Sequence, residues 1–345
     1  MKITRSIWIC AIAVLISIPF YLSINSLQTK TAATDEVAEE NIDPLVIGYS
    51  NWSGWWPWAI AESEGLFAKR GINVELKWYD NYTQSLEDLA AGYIDGNCQT
   101  LSDTITFANE SVKGETVVLV NDNSAGNDKI IVASDIDSIA DLKGKQIAVE
   151  AGVVDDFLLM LALERSGLTR KDVNILDLET GAATAAFTSG QVDAVGAFPP
   201  FWLTAFSRSG AKEIVSSAAF PGAIPDLLVV TQEIARKKPE QVQRLVECWF
   251  DILRFMKQYP EKSDKIMAQR AEVSDREFQL FKAGTKMFSL KDNLNAFERR
   301  RDMTSLYYAA EEIERFLNQN FFNKHIELNS QSIFTPKFIR SIDRN

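Results

Sequence analysis

Histidine occurs once in the 345 residues, at His325, and cysteine three times, at Cys10, Cys98 and Cys248. That scarcity leaves no Ser/His/Asp set around the motifs described below and no clustered His/Cys transition-metal site. His325 ends the segment Phe321-Phe-Asn-Lys-His325, far past the motifs described below. Positive charge is also short: 36 Lys and Arg against 47 Asp and Glu give a net charge of −11. A body this acidic does not hold nucleic acid or anionic membrane by bulk electrostatics. No glycine-rich phosphate loop or dinucleotide fingerprint is present, and no cofactor is expected.

What the chain does have begins with an apolar run at residues 6–24, preceded by Lys2 and Arg5. A basic start before an apolar stretch predicts export, with residues 1–33 either a signal peptide cut near Thr31-Ala-Ala33 or an N-terminal anchor. Losing Lys2, Arg5 and Lys30 with that segment takes the net charge from −11 to −14. Residues 34–43 read as a linker. Cys10 lies in the apolar run; Cys98 and Cys248 remain, as buried free thiols or as a disulfide. The body is long for a single core, which suits two lobes.

Four of the eight tryptophans fall within seven residues of Gly48-Tyr-Ser-Asn-Trp-Ser-Gly-Trp-Trp-Pro-Trp58. The loop follows a strand candidate and precedes a helical pattern, so it sits at the carboxyl edge of a sheet, where α/β proteins bind ligands. Trp56 and Trp58 are expected to pack between helix and sheet; Trp52 and Trp55, on the turn, are equally suited to a ligand wall. Strand patterns follow at 45–49, 72–79, 96–99, 116–120 and 129–133, then at 146–150, 173–178, 194–198, 213–215 and 226–231. Helical runs lie between them, and from residue 232 onward the pattern is helical.

The two series look like copies of one unit. Ser63-Glu-Gly-Leu66 matches Arg165-Ser-Gly-Leu168, and Leu89-Ala-Ala-Gly-Tyr-Ile-Asp-Gly96 matches Phe187-Thr-Ser-Gly-Gln-Val-Asp-Ala194. The marker glycines are 27 residues apart in one copy (65 to 92) and 23 in the other (167 to 190). A copy inserted within a copy predicts two similar lobes, one from 44–125 plus 226–345 and the other from 126–225. Asp122 and Asp128, flanking Gly126, read as turn formers at the first boundary.

Together these segments resemble the solute-binding proteins of ABC importers, in the class that handles nitrate, sulfonate, taurine and pyrimidine precursors. The resemblance is carried by Ile47-Gly48-Tyr49 with Ala61-Glu-Ser-Glu-Gly-Leu-Phe-Ala-Lys-Arg-Gly71, by Leu89 to Gly96, by Asp137-Ser-Ile-Ala-Asp-Leu-Lys-Gly-Lys-Gln-Ile-Ala-Val149 and by Ser189-Gly-Gln-Val-Asp-Ala194. It covers roughly residues 44–290. It implies an α/β fold, a two-lobed periplasmic-binding-protein (type II) clamshell with a C-terminal helical region. It also implies a periplasmic monomer that closes on a small-molecule ligand and docks on an ABC permease with its ATPase. The ligand would meet loops 51–55, 80–82, 99–103, 152–156, 179–182 and 198–202.

Those loops depart from an anion site. Nitrate and sulfonate binders are expected to offer hydroxyls, helix amino termini, Lys or Arg; here no candidate loop holds Lys, Arg or His. They hold Asp80, Asp103, Asp155, Asp156 and Glu179, with Glu150 at the end of the preceding strand, interleaved with Trp52, Trp55, Tyr82 and Phe198 and joined by Gln99 and Thr100. Any single acid could be a helix cap, Asp103, Asp155 and Asp156 especially. As a set they match a small nitrogen-rich cation of guanidinium type, with carboxylates at its edge and aromatic faces on its plane. The alternatives are an anion in the same role, or a pyrimidine-precursor enzyme on the same fold, which would depend on an active-site histidine. Glu298-Arg-Arg-Arg301 reads as a solvated helix face.

Overall fold

The computed structural model describes residues 43–320 and 333–342. The expected leader, the linker up to residue 42, Cys10 and His325 lie outside them. Two sheets organise the rest. The first has the order β11–β4–β10–β3–β1–β2, from β1 (Leu45–Ser50), β2 (Val74–Tyr79), β3 (Gly96–Thr100), β4 (Glu115–Ser124), β10 (Pro225–Thr231) and β11 (Thr285–Met287). The second has the order β7–β6–β8–β5–β9, from β5 (Lys129–Val132), β6 (Gln146–Val149), β7 (Asn174–Asp177), β8 (Ala194–Ala197) and β9 (Lys212–Ser216).

The duplication read from the sequence is repeated in the topology. In each sheet a central strand, β1 or β6, pairs parallel with two neighbours, β2 and β3 or β7 and β8. An antiparallel strand then follows, β10 beside β3 and β5 beside β8. The paired motifs have the same local roles. Gly92 and Gly190 hold φ of 75° and 80°, left-handed values that end the helices Tyr82–Ala90 and Thr180–Thr188. Three residues later, Asp95 and Asp193 accept the N–H groups of Val46 and Gln146, at 3.0 and 2.8 Å, tying each helix exit to its central strand.

Each sheet lends the other its antiparallel strand, so the chain crosses twice, at residues 125–128 and 217–224. The crossings are tied together: the Ser124 and Ser217 hydroxyls lie 2.6 Å apart, and Ser217 Oγ also accepts Gly126 N–H at 2.7 Å. The helical C-terminal region packs on the first sheet. Trp58 and Trp56 are fully buried there as expected, Trp58 against Trp249 at 5.0 Å and Trp56 against Phe278 and Phe281. Cys98 and Cys248 are free and buried. Among the described residues no helix is long and apolar enough to cross a membrane.

Strand β4 corrects the reading of Asp122 and Asp128 as turn formers. The strand runs on through the Asp-Asn-Ser segment because β10 and β11 pair with it there, and Asp122 is fully buried. Asp128, in the first crossing, is 1% exposed.

Candidate ligand-binding site

Four aromatic side chains from both sheets meet at the carboxyl ends of the strands. Trp52 and Trp55 stand on the loop after β1, with ring centroids 6.2 Å apart. Trp55 lies 5.5 Å from Tyr82, and Tyr82 meets Phe198, which follows β8, at 6.5 Å. They enclose a small cavity, about 20 Å³, lined also by Ser50, Asn51, Thr100, Asp128, Val154, Ile224 and Asp226. That is room for one or two water-sized groups. No Lys, Arg or His lines it. A larger open hollow of about 370 Å³, beside Lys286, Asp292 and Arg300, shares none of these residues.

The cleft is closed. Thr83 on the first sheet's side donates to Glu150 Oε1 at 2.5 Å, and Thr106 donates to the Gly152 carbonyl at 3.2 Å. Closure brings acids from the two sheets together. Asp103, Asp122 and Asp226 come from the first; Asp155 and Glu150 come from the second, with Asp128 in the crossing. Burial raises all six, and mutual repulsion adds to it in Asp122, Asp128, Asp155, Asp226 and Glu150. Burial takes Asp103 to about 6 and Asp128 to about 7, although Tyr82, Thr100 and Ser102 hold Asp103 lower by hydrogen bonding.

Their oxygens are poorly satisfied. Asp122 Oδ1 accepts the Trp52 indole N–H at 3.0 Å, and Asp155 Oδ2 accepts from Thr180 at 3.3 Å. Asp122 Oδ2, Asp128 Oδ2, Asp155 Oδ1 and Asp226 Oδ2 are buried with no protein donor. A buried acceptor left so costs about 1–3 kcal/mol, more when charged. Among the described residues no three acids converge within reach of one metal ion.

Of the residues expected at the site, Trp52, Trp55, Tyr82, Thr100 and Phe198 line the cavity. Asp103 supports it from behind, accepting the Tyr82 hydroxyl at 2.7 Å, and Asp155 and Glu150 stand in the closed interface. Seven of the twelve do not line it, and four of these are engaged elsewhere. Asp156 is turned to Arg170 in a buried ion pair and accepts Gly152 N–H at 3.0 Å. Glu179 caps its helix, accepting from Gly181 and Ala182 N–H at 3.0 and 3.2 Å. Asp80 is exposed and accepts the Trp78 indole. Gln99 is fully buried in a network with Asn97, Thr104 and Glu115. Asp122, Asp128 and Asp226 were not expected; the one available signal was an Asp starting the apolar strand Asp226-Leu-Leu-Val-Val230.

Two α/β lobes joined by two crossings, closing on a small cavity, define the fold class of periplasmic binding proteins. A model of the NMT1-like family matches residues 38–272, and the chain belongs to that family. It is 29% identical over 235 residues to a putative binding protein of Brucella abortus, covering 67% of this chain and 72% of that one. A putative aliphatic sulfonates-binding protein of Bacillus subtilis is 26% identical over 226 residues, 65% of each chain. Among solved structures, the periplasmic aliphatic sulphonate binding protein of Escherichia coli has a TM-score of 0.70 at 20% identity, over 86% of this chain and 93% of that one. These are binding proteins, not enzymes.

Proposed function

We infer that the chain captures a small nitrogen-rich organic cation, a guanidinium-type solute above all, and delivers it to an ABC permease with its ATPase. Residues 44–125 and 226–345 would form one lobe and 126–225 the other. The observation that carries the reading is the set of four buried carboxylate oxygens without a donor in the closed cleft: those of Asp128 and Asp226, which line a cavity free of Lys, Arg and His, and those of Asp122 and Asp155. A ligand drives closure only as far as it binds the closed state better. Closure here gathers acids, so a cation gains from it and an anion loses. A planar donor-only group also fits flat against Trp52, Trp55 or Tyr82, where cation–π contact adds to charge-assisted hydrogen bonds.

A second reading, an aliphatic sulfonate or taurine in the same cleft, is favoured by the names of sequence relatives such as the Bacillus subtilis protein. Likeness of fold does not select a ligand, however; the loop chemistry does. A thermal-shift screen of the purified protein against guanidinium, urea, nitrate, taurine and an alkanesulfonate separates the two. At 100 times its Kd a ligand adds about 2.7 kcal/mol, a rise of several degrees. A rise with guanidinium alone supports the cation; a rise with taurine or the sulfonate and none with guanidinium overturns it.

A further inference from the structure

Asp122 and Asp226 face each other directly across the antiparallel pair β4–β10. Opposed residues in such a pair have Cβ atoms about 4.5–5.5 Å apart, close enough for two carboxyls to meet. Trp52 occupies Asp122 Oδ1, whereas Oδ2 of each acid has no protein donor. The loop presses on the same group: a Cβ at Gly54 would stand 1.8 Å from Asp122 Oδ2. Both acids are sealed from water, and Asp226 lines the cavity.

The surrounding groups offer no counter-charge. Asp128 and Asp103 act on the pair as further negative charges, and the Cys98 thiol and Tyr82 hydroxyl are the other titratable neighbours. From β11, Met287 stands opposite Asp122, and Lys286 is paired with Asn123 and lines the separate hollow. Among the described residues no cation is ion-paired to either acid. Two carboxyls in contact away from water do not both ionise; they titrate as one coupled unit.

We propose that Asp122 and Asp226 share one proton while the cavity is empty and release it to solvent when the ligand enters, so that capture exchanges a cation for a proton. The step balances: the pair passes from one negative charge to two as one positive charge arrives. It rests on the cation reading above. Because the bound cation favours the ionised pair, affinity rises with pH through the pair's titration range, by up to about tenfold per pH unit.

The test is calorimetric titration of the purified protein with guanidinium chloride near pH 7 in phosphate and in Tris, whose ionisation heats differ. Guanidinium keeps its own proton at this pH, so any released proton comes from the protein. The expected result is a buffer-dependent heat equal to release of about half to one proton per ligand bound. That heat, taken per ligand bound at saturating guanidinium, should collapse in Asp226→Asn, or in Asp122→Asn should the first variant fold poorly, although either variant binds guanidinium more weakly. Binding with equal heats in both buffers overturns the shared proton and leaves the cation reading standing, as does undiminished release in both variants. No heat and no thermal shift overturns the cation reading and the exchange with it.

Discussion

Asp128→Asn is expected to stabilise the ligand-free protein above neutral pH, against the usual direction for a buried polar substitution. Asp128 is 1% exposed, and burial raises its carboxyl to about 7 from the ordinary 3.8, with Asp103 adding to the rise while Ser124 and Lys129 oppose it. A carboxyl raised on folding binds its proton more tightly in the folded state, so stability falls as pH rises from the unfolded value through the folded one. At 1.36 kcal/mol per pKa unit, this group alone removes about 4 kcal/mol between pH 4 and pH 8. Asparagine keeps the shape and never ionises, so the variant should lack that part of the slope. For a chain of this size about 2 °C accompanies each kcal/mol, a gap of up to roughly 8 °C in Tm at pH 8 that closes by pH 4. Thermal melts of both proteins without ligand, from pH 4 to pH 8, provide the assay. The same variant should bind guanidinium about ten- to a hundredfold more weakly, having lost a charge-assisted hydrogen bond of about 1.5–3 kcal/mol. Equal pH slopes in the two proteins would refute the reasoning, because Asp128 would then carry no uncompensated charge in the closed cleft.

Asp156→Asn should act oppositely and destabilise by about 3 kcal/mol in thermal melts, since it removes the fully buried charge that Asp156 sets against Arg170. Trp52→Phe keeps an aromatic wall but removes the indole donor to Asp122; guanidinium titrations should show affinity down several-fold at neutral pH, and thermal melts a Tm lower by about 2–6 °C for about 1–3 kcal/mol lost. Thr83→Ala removes the hydroxyl that bridges to Glu150 across the closed cleft, and stopped-flow release should be about fivefold faster for a loss near 1 kcal/mol.

The elements were largely legible because alternation and turn residues are local properties. Ten strand patterns appear as ten strands, and Gly92 and Gly190 hold the left-handed turns their positions imply. Strand β11, three residues long, carries too little pattern to be seen. The site was legible in its aromatics and only partly in its acids. Asp155 and Asp156 are adjacent in sequence, yet successive helix positions point about 100° apart; one enters the acidic interface and the other reaches Arg170. Asp122 sits in Asp-Asn-Ser, which has the chemistry of a turn, and only pairing with β10 and β11 makes it a buried strand residue. Burial set by distant partners leaves no local signature.

Selection between guanidinium and urea follows from the same acids. The two solutes are planar and nearly equal in size, so shape alone does not sort them. Urea presents one carbonyl acceptor towards walls that already hold Asp128 and Asp226 oxygens in want of donors. Acceptor facing acceptor gains nothing, and neutral N–H groups bond a carboxylate about 1–1.5 kcal/mol more weakly than cationic ones. Over two such bonds the difference is about 2–3 kcal/mol, or roughly a hundredfold in Kd. Competition calorimetry, with urea titrated against a guanidinium-loaded protein, reads that ratio directly. A ratio near one would mean that shape and neutral hydrogen bonding govern the cleft, and the buried carboxylates would then have to be neutral acids that donate to the ligand.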